Sequence, residues 1–83
     1  MSVAQQQKEK IRFYTGNYCP FCRRVKKELD RLDLDYEQVN ADADGRWEVI
    51  ELSGQRAIPI VTIDDEVLVD STQIVRELRS RYQ

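Results

Sequence analysis

Two cysteines, Cys19 and Cys22, stand three residues apart at the junction of an apolar, strand-forming segment and an amphipathic helix. They are the only cysteines in the chain. One helical turn separates positions i and i+3, so both sulfurs can lie at the same end of the helix. A disulfide needs Cα atoms about 5.5–6 Å apart, which a first helical turn supplies. The spacing therefore predicts a strand, a helix that begins at the cysteines, and a thiol pair able to form a disulfide.

The remaining sequence alternates strand and helix patterns. Pro20 suits a first helical position, and apolar residues recur at helical spacing through Cys22, Val25 and Leu29. The predicted strands cover 11–15, 36–40, 60–63 and 67–69, and the predicted helices cover 20 to about 33, 47–52 and 71–82. The first strand, helix and strand can form a parallel pair with a right-handed crossover. We expect an α/β fold of order β-α-β-α-β-β-α, with a mixed four-stranded sheet and helices on both faces.

Polar residues and glycine predict the ends of the shorter helices. Asp42 or Asp44 can cap the second helix, and Gly54 can end it. Asp70 can cap the last helix, with Gln73 completing a capping box.

Length and charge limit the classes of protein to which the chain can belong. Its 83 residues allow one domain, which we place at 11–83 after a polar, disordered tail at 1–10. With 13 basic and 15 acidic residues, neither nucleic acid nor an anionic membrane is expected as a partner. No apolar run approaches the roughly 18 residues of a membrane span, and no apolar stretch follows Met1, so we expect no secretory signal. We expect a monomeric, cytoplasmic protein, where a lone Cys-x-x-Cys pair is more often catalytic than structural.

The predicted helix start makes Cys19 the reactive thiol. Free backbone N–H groups and the helix dipole stabilise an anion there, and such thiols have pKa values lowered to roughly 3.5–7.5. The chain has no histidine, so Cys19 must ionise without an imidazole base. Cys22 belongs to the apolar stripe and should be less exposed. We expect Cys19 to attack a disulfide and Cys22 to resolve the mixed disulfide that results.

Other interpretations of the pair stay open. Zinc usually takes four ligands, which one chain of this composition cannot supply, so no metal site is expected within a monomer. There are two alternatives. In the first, a metal cluster bridges two chains. In the second, the two cysteines are buried and inert. The polar face of the helix carries both signs of charge, namely Arg23, Arg24, Lys26, Lys27, Glu28, Asp30 and Arg31. Its cations either favour the thiolate or form only a solvated face.

Four segments carry a resemblance to a known family: Tyr14-Thr15, Tyr18–Cys22, Ser53–Pro59 and Val69–Ser71. Together they resemble the glutaredoxin family of the thioredoxin-fold superfamily, over residues 11–82. The Asp70-Ser71 pair looks more like the N-terminal domain of glutathione transferases. The resemblance implies a thiol–disulfide oxidoreductase without a tightly bound cofactor, in which Pro59 follows a cis peptide bond and faces the cysteines.

The resemblance also implies glutathione as the co-substrate, bound by Tyr18, Arg56, Ile58, Pro59, Asp70, Ser71 and Thr72. Glutathione is a short extended peptide with two carboxylates, and the backbone of Ile58 can pair with it as an added strand. Arg56 can clamp one carboxylate by a forked contact, and the helix start at Ser71 can bind the other. Asp70 can meet the ammonium group. Alternatively, Arg56 is a solvated charge and Asp70 is only a cap.

We therefore expect an enzyme that reduces protein disulfides, or glutathione mixed disulfides, at the expense of glutathione. The alternatives are a glutaredoxin-like redoxin reduced by thioredoxin reductase, and an iron–sulfur carrier in which two chains and two glutathione thiols hold the cluster. Gly16 stands where many glutaredoxins carry lysine, which favours the first alternative, whereas Arg56 favours glutathione.

Overall fold

The computed structural model describes residues 8–42, 45–55 and 57–83, and it has the predicted order of elements. The elements are β1 (Ile11–Thr15), α1 (Pro20–Arg31), β2 (Glu37–Asn40), α2 (Arg46–Ser53), β3 (Ile60–Ile63), β4 (Glu66–Val69) and α3 (Ser71–Tyr82). The predicted α/β fold, of the thioredoxin-like type, is confirmed.

The four strands form one mixed sheet in the order β2-β1-β3-β4. Strand β1 is parallel to β2 and antiparallel to β3, so Phe13 pairs with both Gln38 and Val61. A parallel neighbour requires a crossover connection, and α1 makes it. Strands β3 and β4 form an antiparallel hairpin. Because β1 and β2 are parallel, the loops that follow them lie at the same edge of the sheet.

Apolar side chains cover both faces of the sheet. On one face, α1 and α3 bury their apolar stripes against Ile11, Phe13 and Val61. On the other, Val49 of α2 packs with Tyr14 and with residues of β2 and β3. Strand β3 is buried along its whole length. Its side chains alternate between the two faces of the sheet, and helices cover both faces. Helices thus lie on both faces, as predicted.

The predicted helix caps need correction. Helix α2 starts at Arg46, and its N-cap, Gly45, makes no side-chain capping bond, so Asp42 does not cap it; Asp44 lies outside the described residues. Asp70 occupies the N-cap position of α3 but makes no capping hydrogen bond, so the predicted capping box does not form. Gly54 does end α2, in the left-handed conformation with φ of 78°.

Glu28 was expected on the solvated face of α1 and is instead buried. Its carboxylate accepts hydrogen bonds from Arg31 and from Arg79 of α3. These bonds lower the pKa of Glu28, the bond from Arg31 contributing most. An ion cluster therefore joins the two helices that cover the main core.

The chain before β1 is described from residue 8 onwards, so most of the predicted tail lies outside the described residues. Glu9 accepts a hydrogen bond of 2.9 Å from the hydroxyl of Tyr82. The backbone N–H of Lys10 donates to the carboxylate of Asp64 at 3.0 Å. The extent of the disordered tail stays a prediction. No helix in the described part of the chain combines the length and apolar character of a membrane span.

Candidate active site

Cys19 and Cys22 form a disulfide at the N-terminus of α1, with their Cα atoms 5.2 Å apart. Pro20 is the first residue of the helix, and Cys19 is its N-cap. The backbone N–H of Cys22 donates to the sulfur of Cys19 at 3.2 Å. The predicted pair and its position at the helix start are confirmed. The Cys19 sulfur lies where backbone N–H groups favour negative charge, while the lowered pKa of its reduced thiol stays a prediction.

The two sulfurs differ in access to solvent. Cys19 is half-buried, whereas Cys22 is only 2% exposed and belongs to the main core. An incoming disulfide can therefore reach Cys19 more readily. This difference supports the predicted division of roles, in which Cys19 attacks and Cys22 resolves.

A cleft of about 310 Å³ adjoins the disulfide segment through Phe21, which stands between the two cysteines in the chain; neither cysteine lines the cleft. Phe21 forms one side, and the opposite sides come from Ile58, Pro59 and the start of α3 at Asp70 and Ser71. The peptide bond between Ile58 and Pro59 is cis, as the resemblance implied. Four residues predicted to bind glutathione thus line one cavity.

Two of the remaining predicted binding residues do not line the cleft. Tyr18 precedes the cysteines and is 94% exposed, and Thr72 follows Ser71 on the exposed side of α3. Neither is among the residues that line the cleft. Arg56 lies outside the described residues. Its predicted contact with a carboxylate therefore stays a prediction.

The start of α3 gives the cleft its polar groups. Asp70 is exposed and has φ of 72°, a conformation that favours glycine and costs other residues about 1–3 kcal/mol. Its carboxylate makes no capping bond, and Ser71 is buried at the first position of the helix. The first N–H groups of a helix have no partner within the helix and attract anions. The cleft therefore offers a carboxylate for a cation and a helix terminus for an anion.

A polar network that the sequence did not reveal holds the loop before the cysteines. The backbone N–H of Asn17 donates to Asp42 at 2.7 Å, and the Asn40 amide donates to the Asn17 side chain at 3.2 Å. Arg46 completes the network with a bond of 2.7 Å to the second Asp42 oxygen. The predicted parallel pairing of β1 and β2 could have indicated this network, because residues that follow two neighbouring parallel strands lie at the same edge of the sheet.

Gly16 connects this network to the cleft. A Cβ atom added there would lie 2.7 Å from the Asp42 carboxylate and 2.7 Å from the end of the Ile58 side chain. Because Asp42 is held by hydrogen bonds to Asn17 and Arg46, a larger residue would displace it. The close approach explains why glycine stands at this position.

Asp42→Ala is expected to lower kcat/KM for disulfide reduction by about tenfold, since small displacements of a reacting group are costly. The Asn17 N–H loses its acceptor, and the loop that carries Cys19 loses its anchor. Stability should fall by only about 1–2 kcal/mol, because Asp42 accepts one hydrogen bond from Asn17 and a second, solvent-exposed one from Arg46. The measurement is steady-state kinetics alongside thermal unfolding. Asp65→Ala, in the exposed β3–β4 turn, is the control. An unchanged kcat/KM in Asp42→Ala would contradict the anchoring role.

A second hollow, of about 610 Å³, lies away from the cysteines. Arg12, Tyr14 and Glu48 line it on the α2 side of the sheet. Burial raises the pKa of Tyr14, and the hydrogen bond with Tyr14 is the main cause of the raised pKa of Arg12. Both cysteines line a separate small hollow of about 160 Å³, and Phe21, which stands between them in the chain, lines the cleft of about 310 Å³, so we assign the redox chemistry to this side of the molecule.

Comparison with known proteins agrees with this geometry. Residues 11–68 match the sequence model of the family described as Glutaredoxin. A glutaredoxin of Neisseria meningitidis serogroup A is 30% identical over 69 residues, covering 80% of this chain and 81% of the relative. The glutaredoxin-like protein NrdH of Lactococcus lactis is 35% identical over 57 residues, covering 66% of this chain and 78% of the relative.

Solved structures give a second comparison. A glutathione transferase homologue of Drosophila mojavensis with bound glutathione superposes with a TM-score of 0.80 at 26% identity. The match covers 89% of this chain and 36% of that one. Glutathione transferase E6 of Drosophila melanogaster gives a TM-score of 0.78 at 32% identity, covering 88% of this chain and 35% of that one. The chain thus spans about a third of these transferases.

Proposed function

The chain belongs to the glutaredoxin family and is a thiol–disulfide oxidoreductase, and on this premise we propose that glutathione is its reductant. Its substrates would be protein disulfides and mixed disulfides between glutathione and protein thiols. The observation that carries the proposal is the cleft that adjoins the disulfide segment, where Phe21, Pro59 and Asp70 meet.

The proposed reaction with a protein disulfide has two exchange steps. The thiolate of reduced Cys19 attacks one sulfur of the substrate, forming a mixed disulfide and releasing the other substrate sulfur as a thiolate that takes up a proton. Cys22, losing its proton, then attacks the Cys19 sulfur and releases the second substrate thiol. The substrate gains two electrons, and the enzyme pair becomes the disulfide observed here.

Glutathione would restore the dithiol. A first glutathione thiolate attacks the Cys19 sulfur, forming a Cys19–glutathione disulfide and freeing the Cys22 thiol. A second attacks the sulfur of the bound glutathione, releasing oxidised glutathione and the Cys19 thiolate. In the second substrate class, Cys19 alone takes glutathione from the protein thiol, so Cys22 is not required.

The polar groups of the cleft suit the shape and charges of glutathione. An extended tripeptide lying along Ile58 could pair with its backbone as an added strand. The free carboxylate of Asp70 could meet the ammonium group, and the start of α3 at Ser71 could hold a carboxylate. Arg56, Tyr18 and Thr72 complete the proposed binding set. The monomeric state, the cytoplasmic location and the absence of a tightly bound cofactor stay predictions.

Reduction by thioredoxin reductase is the second candidate, favoured by Gly16. Gly16 supplies no lysine side chain that could bind a carboxylate of glutathione, and a Cβ atom added there would lie 2.7 Å from both Asp42 and Ile58. The match to a glutaredoxin-like protein NrdH adds support. The two candidates share the chemistry of Cys19 and differ only in the electron donor.

An NADPH-coupled assay distinguishes the two donors. With a protein disulfide as substrate, we expect NADPH consumption with glutathione and glutathione reductase to exceed that with thioredoxin reductase by about tenfold or more, because the polar groups of the cleft match the charges of glutathione. Cys19→Ser protein is the blank in both arms. If NADPH consumption were faster with thioredoxin reductase than with glutathione and its reductase, thioredoxin reductase would be the electron donor instead of glutathione.

A further inference from the structure

Three exposed cations on α1, Arg23, Arg24 and Lys27, form what we call the basic rim. Within the described residues none of them has an ion pair, although Lys26 and Arg31 on the same helix pair with Asp30 and Glu28. Arg23 lines a small hollow together with both cysteines, so the rim begins at the disulfide. Arg23 therefore lies beside the sulfurs, and Arg24 and Lys27 follow it along α1, without an ion-pair partner among the described residues.

The position of Arg23 is unfavourable for the isolated helix, because Arg23 lies in the first turn of α1. The N-terminus of a helix is the positive end of its dipole, so cations near it are disfavoured. The first turn of α1 contains no acidic residue that could compensate. The whole chain carries a net charge of −2, so the concentration of positive charge here is local. The thiolate of reduced Cys19 supplies one negative charge here, and an acidic group of a substrate can supply more.

Two exposed aromatic side chains flank the same disulfide. Tyr18 is 94% exposed and Phe21 is 62% exposed, and they stand directly before and between the cysteines. Exposed aromatic side chains are enriched where proteins make contact. Among the described residues that line the cleft, Asp70 is the charged one, and it is exposed. The surface around Cys19 thus has an apolar centre, a positive rim and a negative side.

We propose that the protein selects disulfides that lie in acidic segments with an apolar residue next to the cysteine. The acidic residues meet the basic rim, and the apolar residue packs on Tyr18 and Phe21. The approach leads the substrate sulfur to Cys19, and the exchange then follows the steps given above. This inference rests on the disulfide-reducing activity and adds a class of protein substrate to it.

Electrostatic steering sets the expected size of the effect. Complementary charge around a site raises association rates by about 10–10³-fold, and salt screens it over a Debye length of about 10 Å at 0.1 M. We expect kcat/KM for an acidic peptide disulfide to exceed that for a basic one by about tenfold at low salt. The preference should fall to about twofold or less at 1 M salt, where the Debye length is about 3 Å.

The test uses peptide disulfides of equal length with a leucine next to the cysteine and acidic, neutral or basic flanks. The readout is the ratio of kcat/KM for the acidic and basic peptides, in which any uniform change in Cys19 reactivity cancels. The variant Arg23→Glu, Arg24→Glu, Lys27→Glu should invert this ratio. Arg76→Glu, which changes an exposed cation on α3, is the matched control and should leave the ratio unchanged.

The outcomes separate this inference from the function on which it rests. Reduction of the neutral peptide with an equal rate for acidic and basic peptides would overturn the inference and leave the oxidoreductase intact. The inference would also be overturned, with the oxidoreductase intact, if Arg76→Glu changed the ratio as much as the triple variant does. Reduction of none of the three peptides would instead overturn the disulfide-reducing activity. Thermal unfolding of each variant shows that the fold is retained.

Discussion

Cys19→Ser is expected to abolish the reduction of every disulfide substrate, with a loss of about 10³-fold or more in kcat/KM. A serine hydroxyl does not ionise near neutral pH, so it cannot replace the thiolate at the N-cap of α1. The half-buried sulfur of Cys19 is the one that an incoming disulfide can reach, because Cys22 is enclosed by the core. No second nucleophile can take over its role.

Cys22→Ser is the matched variant and should separate the two substrate classes. Reduction of a glutathione mixed disulfide needs only Cys19 and should be largely retained. Reduction of a protein disulfide should fall strongly, because the mixed disulfide is no longer resolved within the enzyme. The measurement is the coupled assay with one substrate of each class. Activity of Cys19→Ser near that of the parent protein would refute the assignment, and so would equal losses on both substrates in Cys22→Ser.

Glu28→Gln is expected to destabilise the fold by about 1–2 kcal/mol, the range for a charge-assisted network with partly solvated partners. The Glu28 side chain is 7% exposed, whereas Arg31 and Arg79 are 51% and 55% exposed. The exposure of the arginines limits the cost, since both remain hydrated when the carboxylate is lost. For a domain of this size the melting temperature should fall by roughly 5–15 °C.

The same residue sets part of the acid sensitivity of the fold. The hydrogen bond from Arg31, followed by that from Arg79, holds the pKa of Glu28 below its ordinary value of 4.5. A carboxyl group with a lowered pKa stabilises the folded state fully above its unfolded pKa and loses this contribution as pH falls through the folded pKa. Stability of the parent protein should therefore decline below pH 4.5, and more steeply than in Glu28→Gln.

Denaturant unfolding from neutral pH to acid, in the parent protein and both variants, measures this effect. Glu77→Gln is the control, because Glu77 pairs with Arg81 on the exposed side of α3. Its cost should stay below about 0.5 kcal/mol, as for other surface ion pairs on helices. If Glu28→Gln and Glu77→Gln cost the same, the cluster between α1 and α3 does not stabilise the fold.

The resemblance located more of the site than the periodic patterns did. The residues from Ser53 to Pro59 have no periodicity that would place them opposite the cysteines. Their similarity to a known family indicated the cis peptide bond before Pro59, which the structure contains. The similarity also implied that Asp70 meets the ligand, and the Asp70 side chain makes no capping bond in the structure. The sequence rules for helix capping predicted a hydrogen bond from the start of α3 to the Asp70 side chain. Asp70 has φ of 72° and its side chain accepts no such bond.

Polar partners far apart in the sequence were outside the reach of pattern analysis. Asp42 and Asn17 are 25 residues apart, and their contact depends on the parallel pairing of β1 with β2. Glu28 and Arg79 are 51 residues apart and meet only because α1 and α3 pack on the same face of the sheet. Helical periodicity predicted a solvated position for Glu28, because the pattern of one helix contains no information about Arg79 on the neighbouring helix.

The amino-acid sequence alone determined the order of the elements, the disulfide-forming pair and its place at the start of α1. These features depend on neighbours within a few residues: the i,i+3 spacing of Cys19 and Cys22, the proline between them and the alternation of apolar residues. The tertiary structure decided which polar groups meet Asp42 and Glu28, how deeply Cys22 is buried, and that Phe21, Pro59 and Asp70 enclose one cleft. Those contacts join segments distant in the chain, and only the packing of helices against a particular strand order brings them together.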